Sequence, residues 1–350
     1  MPTTTTAILI ERHGPPDVFV EREVPLPDPG HGDVHLRVLA VGVNFGDLAM
    51  RAGLYGTVPP RPYSPGFEIA GEVVRAGNEV KGWKVGDRAV ALLRFGGYAR
   101  DVVVGANQLA PYPPSLTPEQ AVAVPVAFLT AWVCLFEAAR ARAGEMVLVL
   151  GAGGGVGTAA VQLAVNRGLR VIGTAGTSQK RAFVTDDLGA EACFDSRGDW
   201  APAVEQHVGP RNIDIALDPI GGKATAACRR LLAPLGRLVF YGLSEAMPGR
   251  RKNLLRAALA WLRTPRFHPY SLIMPNVGIF GVHLLHLESK NQLLLPALAE
   301  INEGVASGAL RPVVDRAFPL TRAGAVEAHR YIHERRNLGK VVLTASNVGA

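Results

Sequence analysis

The sequence predicts an α/β chain: a doubly wound parallel sheet joined to an antiparallel, partly open β-barrel-like domain. Two observations carry this expectation. Residues 7 to about 126 alternate short apolar strands with Gly/Pro turns, whereas from about 127 strands and helices alternate. At the head of the second part, Val147-Leu148-Val149-Leu150 runs directly into Gly151-Ala152-Gly153-Gly154-Gly155-Val156-Gly157, and 158–169 then reads as a helix.

In the first part, strands are expected at 7–10, 34–43, 69–76, 88–93 and 98–104. In the second they are expected at 146–150, 170–174, 192–194, 213–217, 237–241 and 278–282, with helices between them. The tail, 312–343, returns to strand, helix (322–334) and strand (339–343), and is expected to rejoin the first domain. The domains expected are therefore 1–126 with 311–350, and 127–310 carrying an insertion at about 245–276.

Composition narrows the class. Apolar residues at 48% and charged residues at 19% of 350 fit an ordinary globular protein long enough for two domains. Cys134, Cys193 and Cys228 are scattered, with no CxxC pair and no disulfide framework, which suits a reducing, cytoplasmic setting. Residues 1–10 lack the charged and long apolar regions of a secretory signal. The sequence reads as having no run of about 18 uncharged apolar residues, so no membrane span is expected. A net charge of +7 suits an anionic cofactor; without aromatic-rich basic motifs, nucleic acid is not an expected partner.

A strand that turns tightly into a helix points free backbone N–H groups and the positive end of the helix dipole at one spot. Only glycine lets a pyrophosphate approach that backbone closely. The run is thus expected to be the phosphate turn of a dinucleotide site, with contacts from Gly153, Gly154, Gly155, Val156 and Gly157, although Val156 breaks a strict GxGxxG spacing. The next strand ends at Thr174, where an NAD site would present Asp or Glu to the ribose. Here follow two hydroxyls, Thr177 and Ser178, and two cations, Lys180 and Arg181. They suit a 2′-phosphate, so NADPH is expected over NADH; the plainer alternative for the two cations is a solvated helix start.

The matching residues now form a pattern: Gly42-Val43-Asn44-Phe45-Gly46-Asp47, Arg51-Ala52-Gly53-Leu54-Tyr55, Pro65-Gly66-Phe67-Glu68 with Gly71, Val85-Gly86-Asp87-Arg88-Ala89, Leu129-Thr130-Ala131, the glycine turn, Asp218 with Gly221-Gly222, and Gly339-Lys340. Over nearly its whole length the chain resembles the zinc-free medium-chain dehydrogenase/reductases, the quinone oxidoreductase group. Residues 253–283 look most like the branch containing the synaptic vesicle protein VAT-1.

The resemblance implies a GroES-like domain beside a Rossmann domain. Zinc enzymes of the superfamily carry Cys near 44 and His near 67, where this chain has Asn44 and Phe67, and their four-cysteine lobe is missing. Glu68 alone cannot make a tetrahedral site, so no metal is expected. Without a Lewis acid, the hydride acceptor should already be electrophilic: a quinone, or an alkene conjugated to a carbonyl. The resemblance places Asn44 and Tyr55 against the nicotinamide pocket as candidate donors. Asn44 reads equally as a turn former, and Tyr55 as a loop aromatic. Asp47 is a candidate for acid–base work, with helix capping the stronger expectation. By the same resemblance Thr130, Tyr241, Gly242, Phe280, Gly281, Val282 and Lys340 join the cofactor contacts. Ser196 stands where the group has a tyrosine near the adenosine phosphate, and Ala49 where it has a second tyrosine. A homodimer through the strand at 278–282 is also implied.

Residues 250–266 hold Arg250, Arg251, Lys252, Arg256, Arg263 and Arg266 with no acid. On a helix, Lys252, Arg256 and Arg263 fall within about 40° of one another, with Leu255, Leu259 and Leu262 on a neighbouring arc and Trp261 beyond. Such a segment can cover an active-site mouth, the preferred expectation, or lie weakly on an anionic membrane surface. The alternative function is therefore a peripheral membrane or lipid-associated protein on a reductase scaffold.

Overall fold

A computed structural model describes residues 4–56, 58–246 and 254–345. Its described residues form two compact units, one of residues 4–126 and 298–345, the other of residues 127–246 and 254–297. Strands β1 (Thr4–Ile10), β2 (Phe19–Pro25), β3 (Asp33–Val43), β4 (Glu68–Ala76), β5 (Arg88–Leu92), β6 (Asp101–Gly105) and β7 (Leu109–Pro111) open the first unit. Strands β8 (Met146–Val149), β9 (Arg170–Ala175), β10 (Ala192–Asp195), β11 (Ile213–Asp218), β12 (Leu232–Phe240) and β13 (Gly278–Gly281) build the second, and β14 (Val314–Pro319) and β15 (Lys340–Thr344) return to the first.

The first unit carries the mostly antiparallel sheets expected of it. Its main sheet runs β14-β15-β3-β4-β5-β7, with β6 also paired to β3. β3 is the spine: Val34, Leu36, Val38 and Ala40 alternate into the core, as a half-buried strand requires. The tail rejoins here, because β15 pairs antiparallel with β3 and sets Val341 opposite Val43. β1 and β2 form a separate antiparallel pair. β2 has no apolar alternation to betray it: of its residues only Phe19 is buried, and Glu21, Arg22 and Glu23 face solvent. The strand expected from 98 begins at Asp101 instead. The preceding residues are held by single contacts, Tyr98 N–H donating to the Pro65 carbonyl and Ile8 N–H to the Tyr98 carbonyl.

The second unit is the doubly wound sheet, β10-β9-β8-β11-β12-β13, every pair parallel. Leu148, Ile172, Ala216 and Leu238 are fully buried at its centre, and Phe267 and Leu272 of the insertion pack against the same core. β12 starts at Leu232 rather than near 237, because Leu232 already pairs with Ile213 before a register shift.

The helical stretch Pro118–Ala138 is long and apolar enough to cross a membrane by length and composition, and 78% of its most apolar window is buried inside the protein, as in a core helix. This corrects the reading that no such run exists: from Gln120 to Phe136 no residue is charged.

Candidate active site and dinucleotide turn

In the second unit, β8 leads into a turn that only glycine permits at two positions. Gly151 has φ +65°, the left-handed region. A Cβ at Gly157 would collide with the Gly151 carbonyl oxygen and come within 2.7 Å of Ala152 Cα. Thr174, at the end of β9, holds the turn: its hydroxyl accepts from Gly151 N–H at 3.2 Å and its carbonyl from Ala152 N–H at 2.9 Å. Thr174, expected among the cofactor contacts, is fully buried and positions the cradle through these two bonds. The helix Gly155–Asn166 starts in this cradle with Gly154 as its N-cap residue; Val156 and Gly157 lie in its first turn, where backbone N–H groups have no acceptor within the helix.

Lys180 belongs to the same place. Its aliphatic stem lies over Gly153, with Cδ, Cβ and Cγ at 3.2–3.4 Å from where a Cβ would stand. Thr177 caps the short helix Ser178–Ala182 by accepting from Lys180 N–H at 3.2 Å, and Ser178 is exposed at its start. Arg181 turns away toward β10, where Nη1 lies 3.2 Å from Asp195 Oδ2. Ser196 follows β10 and stands beside Gly176.

Further along the sheet, Asp218 is fully buried and organises the loop after β11. Its Oδ1 accepts from Ile220 N–H (2.7 Å) and Gly221 N–H (3.0 Å), and Oδ2 from the Thr225 hydroxyl (2.6 Å). Tyr241 N–H donates to the Asp218 carbonyl, and Gly242 lets the chain pass Pro219, whose carbonyl oxygen would stand 2.8 Å from a Cβ there. Phe280 and Gly281 end β13, Phe280 half-exposed, and Val282 N–H donates to the Phe240 carbonyl. Thr130 is buried in the helix Pro125–Trp132.

The insertion is fastened to this unit. Thr264 Oγ1 accepts from Gly222 N–H at 3.0 Å, Arg229 donates to the Ser271 carbonyl at 2.8 Å, and Arg211 to the Pro275 carbonyl at 2.9 Å. Leu259, Leu262, Tyr270, Ile273 and Met274 remain exposed. Arg250, Arg251 and Lys252 lie outside the described residues, as do the side chains of Leu255, Arg256 and Trp261.

The first unit holds a buried polar centre where three strand ends meet. Asn44 follows β3, Glu68 opens β4 and Lys340 opens β15. Gly42 makes the room, since any Cβ there would collide with the Glu68 carboxylate. Lys340 Nζ donates to Glu68 Oε1 and to Asn44 Oδ1 (2.7 Å), and Asn44 Nδ2 donates to Glu68 Oε1 (2.9 Å) and to the Gly42 carbonyl (3.3 Å). Glu68 Oε2 accepts from Val126 N–H at 2.7 Å. An ammonium only donates and an ionised carboxylate only accepts, which fixes the Asn44 amide orientation. Both Asn44 donors are therefore engaged inside the protein. Lys340, expected on the cofactor, has its ammonium buried in this ion pair.

Asp47 is a cap. Its Oδ2 accepts from Asn44 N–H (2.7 Å) and its Oδ1 from Gly66 N–H (2.9 Å), and the residue is fully buried at the start of the helix Phe45–Ala52. Burial pushes its carboxyl up to about 7 against those two donors. Both of its oxygens are thus engaged by backbone donors, the capping arrangement the sequence favours over acid–base work. Tyr55 is half-buried against Phe67, ring centroids 5.5 Å apart, and both rings close on Gly46. Burial, reinforced by Asp47, pushes the Tyr55 phenol up to about 12, so it stays a donor near neutrality.

Glu68 as the partner of Lys340 was missed from sequence, although a carboxylate at the mouth of an apolar strand requires a cation. A second buried cluster, Arg51 with His329 and His333, leaves no pattern in the sequence because its histidines lie 278 and 282 residues from Arg51. Arg51 Nε donates to His329 Nδ1 (3.3 Å), Nη2 meets His333 Nε2 (2.6 Å), and Nη1 donates to the Gly14 carbonyl. Tyr98 OH lies 3.0 Å from His329 Nε2.

Comparison with known proteins gives the class of this site. Residues 30–114 match the alcohol dehydrogenase GroES-like domain, and residues 188–343 match the zinc-binding dehydrogenase family. The chain belongs to the medium-chain dehydrogenase/reductase superfamily, in the group that holds the VAT-1 homologues and the quinone oxidoreductases. It is 35% identical to the rat synaptic vesicle membrane protein VAT-1 homolog over 318 residues, covering 91% of this chain and 78% of that protein. The zebrafish homolog is also 35% identical, and the chain spans 64% of its length. Rat quinone oxidoreductase is 29% identical over 96% of this chain and 97% of its own. Among solved structures, the human VAT-1 homolog-like protein superimposes with TM-score 0.84 at 30% identity, covering 99% of both chains. The Thermus thermophilus quinone oxidoreductase, solved also with NADPH, superimposes with TM-score 0.79 at 34% identity, covering 97% of this chain and 99% of that one.

The zinc named by one of those families does not suit the donors present. Among the described residues no three His, Cys, Asp or Glu side chains gather to hold a metal, and the amide of Asn44 is already bound by Lys340 and Glu68.

Proposed function

We propose that the protein is an NADPH-dependent reductase that passes a hydride, without a metal, to a quinone or to an alkene conjugated to a carbonyl. The carrying observation is the Gly151–Gly157 cradle with the Lys180 stem laid over Gly153. Gly153, Gly154, Gly155 and Gly157 would face the pyrophosphate, and Lys180 with Ser178 and Ser196 the ribose phosphate. The absence of Asp or Glu from 174–181 removes the usual partner of a free 2′-hydroxyl. The Thermus relative solved with NADPH supports the same cofactor. When bound, NADPH supplies the hydride.

This chain's own residues supply position and a proton donor. Tyr55, protonated at neutral pH, is the side chain able to donate to the oxygen on which negative charge collects. Asn44 acts through position: with Lys340 and Glu68 it fixes the start of the helix Phe45–Ala52, and Gly46 of that helix supports Tyr55 and Phe67. A quinone or enone spreads the incoming charge over its own oxygen, so a few hydrogen bonds suffice and no Lewis acid is required. The protein functions as a cytoplasmic homodimer joined through β13, as in the group it resembles, with no nucleic-acid partner.

The test is a screen of NADPH consumption against quinones, enones and enoyl thioesters, with NADH in parallel. We expect at least one class to be reduced with NADPH preferred; no turnover with any class would overturn the proposal.

One observation favours a second reading, weak membrane association of a lipid-handling protein. Leu262, Tyr270, Ile273 and Met274 are exposed in the same segment as Arg263 and Arg266. Co-sedimentation with anionic but not neutral vesicles, lost in Arg263→Glu/Arg266→Glu, would support it.

A further inference from the structure

We infer that Arg197, which follows β10, is the guanidinium that selects the ribose 2′-phosphate, and that Arg181 serves to neutralise Asp195. The inference rests on the NADPH reading above and assigns the residues that make it selective. β9 and β10 pair in parallel register, setting Asp195 beside Ala175 and bringing Ser196 and Arg197 next to Gly176. From the point where a Cβ would stand on Gly176, Arg197 Nε is 3.5 Å away and Ser196 Oγ 3.6 Å. Gly176 is the first residue past β9, the position from which a dinucleotide site reads the ribose.

The charges at this corner divide unequally. Asp195 is half-exposed, and a lone carboxylate here would repel a phosphate. Its Oδ2 is paired with Arg181 Nη1 at 3.2 Å, while its Oδ1 accepts from the Arg197 backbone N–H at 3.0 Å. Arg181 is thus already beside an anion by charge, although its buried Nη1 is not aligned to hydrogen-bond Asp195. The Arg197 side chain is exposed and makes no hydrogen bond or close ion pair among the described residues, its charge reaching Asp195 only at longer range. A phosphate monoester dianion is the ligand a guanidinium fork fits best, by two parallel N–H donations. Lys180, whose stem crosses Gly153, brings a second cation to the same nucleotide.

The test separates this assignment from the cofactor reading by measuring binding alone. Calorimetric titrations of the full chain with 2′,5′-ADP and with 5′-ADP compare wild type, Arg197→Gln, Arg197→Lys and Arg181→Gln/Asp195→Asn. We expect wild type to prefer 2′,5′-ADP. Arg197→Gln should weaken 2′,5′-ADP about tenfold or more and leave 5′-ADP within about twofold, Arg197→Lys should recover part of the loss, and the double variant should keep the preference. If wild type prefers 2′,5′-ADP and Arg197→Gln keeps that preference, the assignment to Arg197 falls while NADPH stands. If wild type shows no preference, both fall.

Discussion

Lys340 and Glu68 are the residues on which the first unit's polar centre depends. Removing one member of a buried, hydrogen-bonded pair leaves the other charge unmatched and costs about 3–5 kcal/mol. Lys340→Met should therefore lower unfolding stability by about that amount in urea titration, and a loss below about 1 kcal/mol would show the pair to be dispensable. Acid stability offers a second test. Burial, with Arg51 and His333 close by, holds His329 well below its ordinary 6.5, so the unfolded chain takes up a proton that the folded chain refuses. That contribution is lost as pH falls below 6.5. Asp47 works in the opposite sense: between 3.8 and about 7 the folded chain keeps a proton the unfolded chain has released, so stability rises as pH falls. Asp47→Asn removes the compensating slope and should make the acid limb steeper, by up to about 1.4 kcal/mol per pH unit. An acid limb parallel to wild type would contradict the burial argument. At this scale the sequence was partly legible. Lys180 could be brought near the glycine run because the strand it follows, β9, pairs directly with β8, from which the run springs. Glu68–Lys340, Arg51–His329 and Arg197 depend on which strands and helices lie side by side, and that is not written in any one segment.

The glycine turn is the element with the least freedom. Gly157→Ala would drive a methyl into the Gly151 carbonyl and Ala152, so the strand and helix must part. We expect loss of NADPH fluorescence enhancement together with about 1–3 kcal/mol of destabilisation; unchanged binding would mean the turn does not hold the nucleotide. β13 is the edge of the parallel sheet, with Phe280 half-exposed. Phe280→Lys puts a charge on that edge and should shift the proposed dimer to monomer in analytical ultracentrifugation; a variant that stays dimeric would place the interface elsewhere. Strand and helix alternation in the second unit was readable because each apolar run is short and bounded by glycine. β2 was not, because an edge pair with Glu21, Arg22 and Glu23 on its open face carries no period-two signal. The insertion's anchoring by Thr264, Arg229 and Arg211 was equally hidden, since backbone N–H and carbonyl groups as partners leave no mark in sequence.

For the whole molecule, the proposed reaction draws on features of both units, each described by itself: a glycine cradle on the parallel sheet of one, and a half-buried phenol with a buried ion pair in the other. The division of labour was visible from the change in strand rhythm near residue 127. The expectation of metal-free chemistry rests on Asn44 and Phe67, which stand where zinc enzymes of the superfamily carry Cys and His. What the structure adds is that the Asn44 amide is committed to Lys340 and Glu68, which is why the proposal assigns the donor role to Tyr55. The most direct test of metal-free, NADPH-driven reduction is the initial rate of NADPH oxidation by the best quinone or enone acceptor, before and after exhaustive chelation. The account predicts equal rates and no stoichiometric zinc in the purified protein. A rate abolished by chelation and restored by zinc would contradict it.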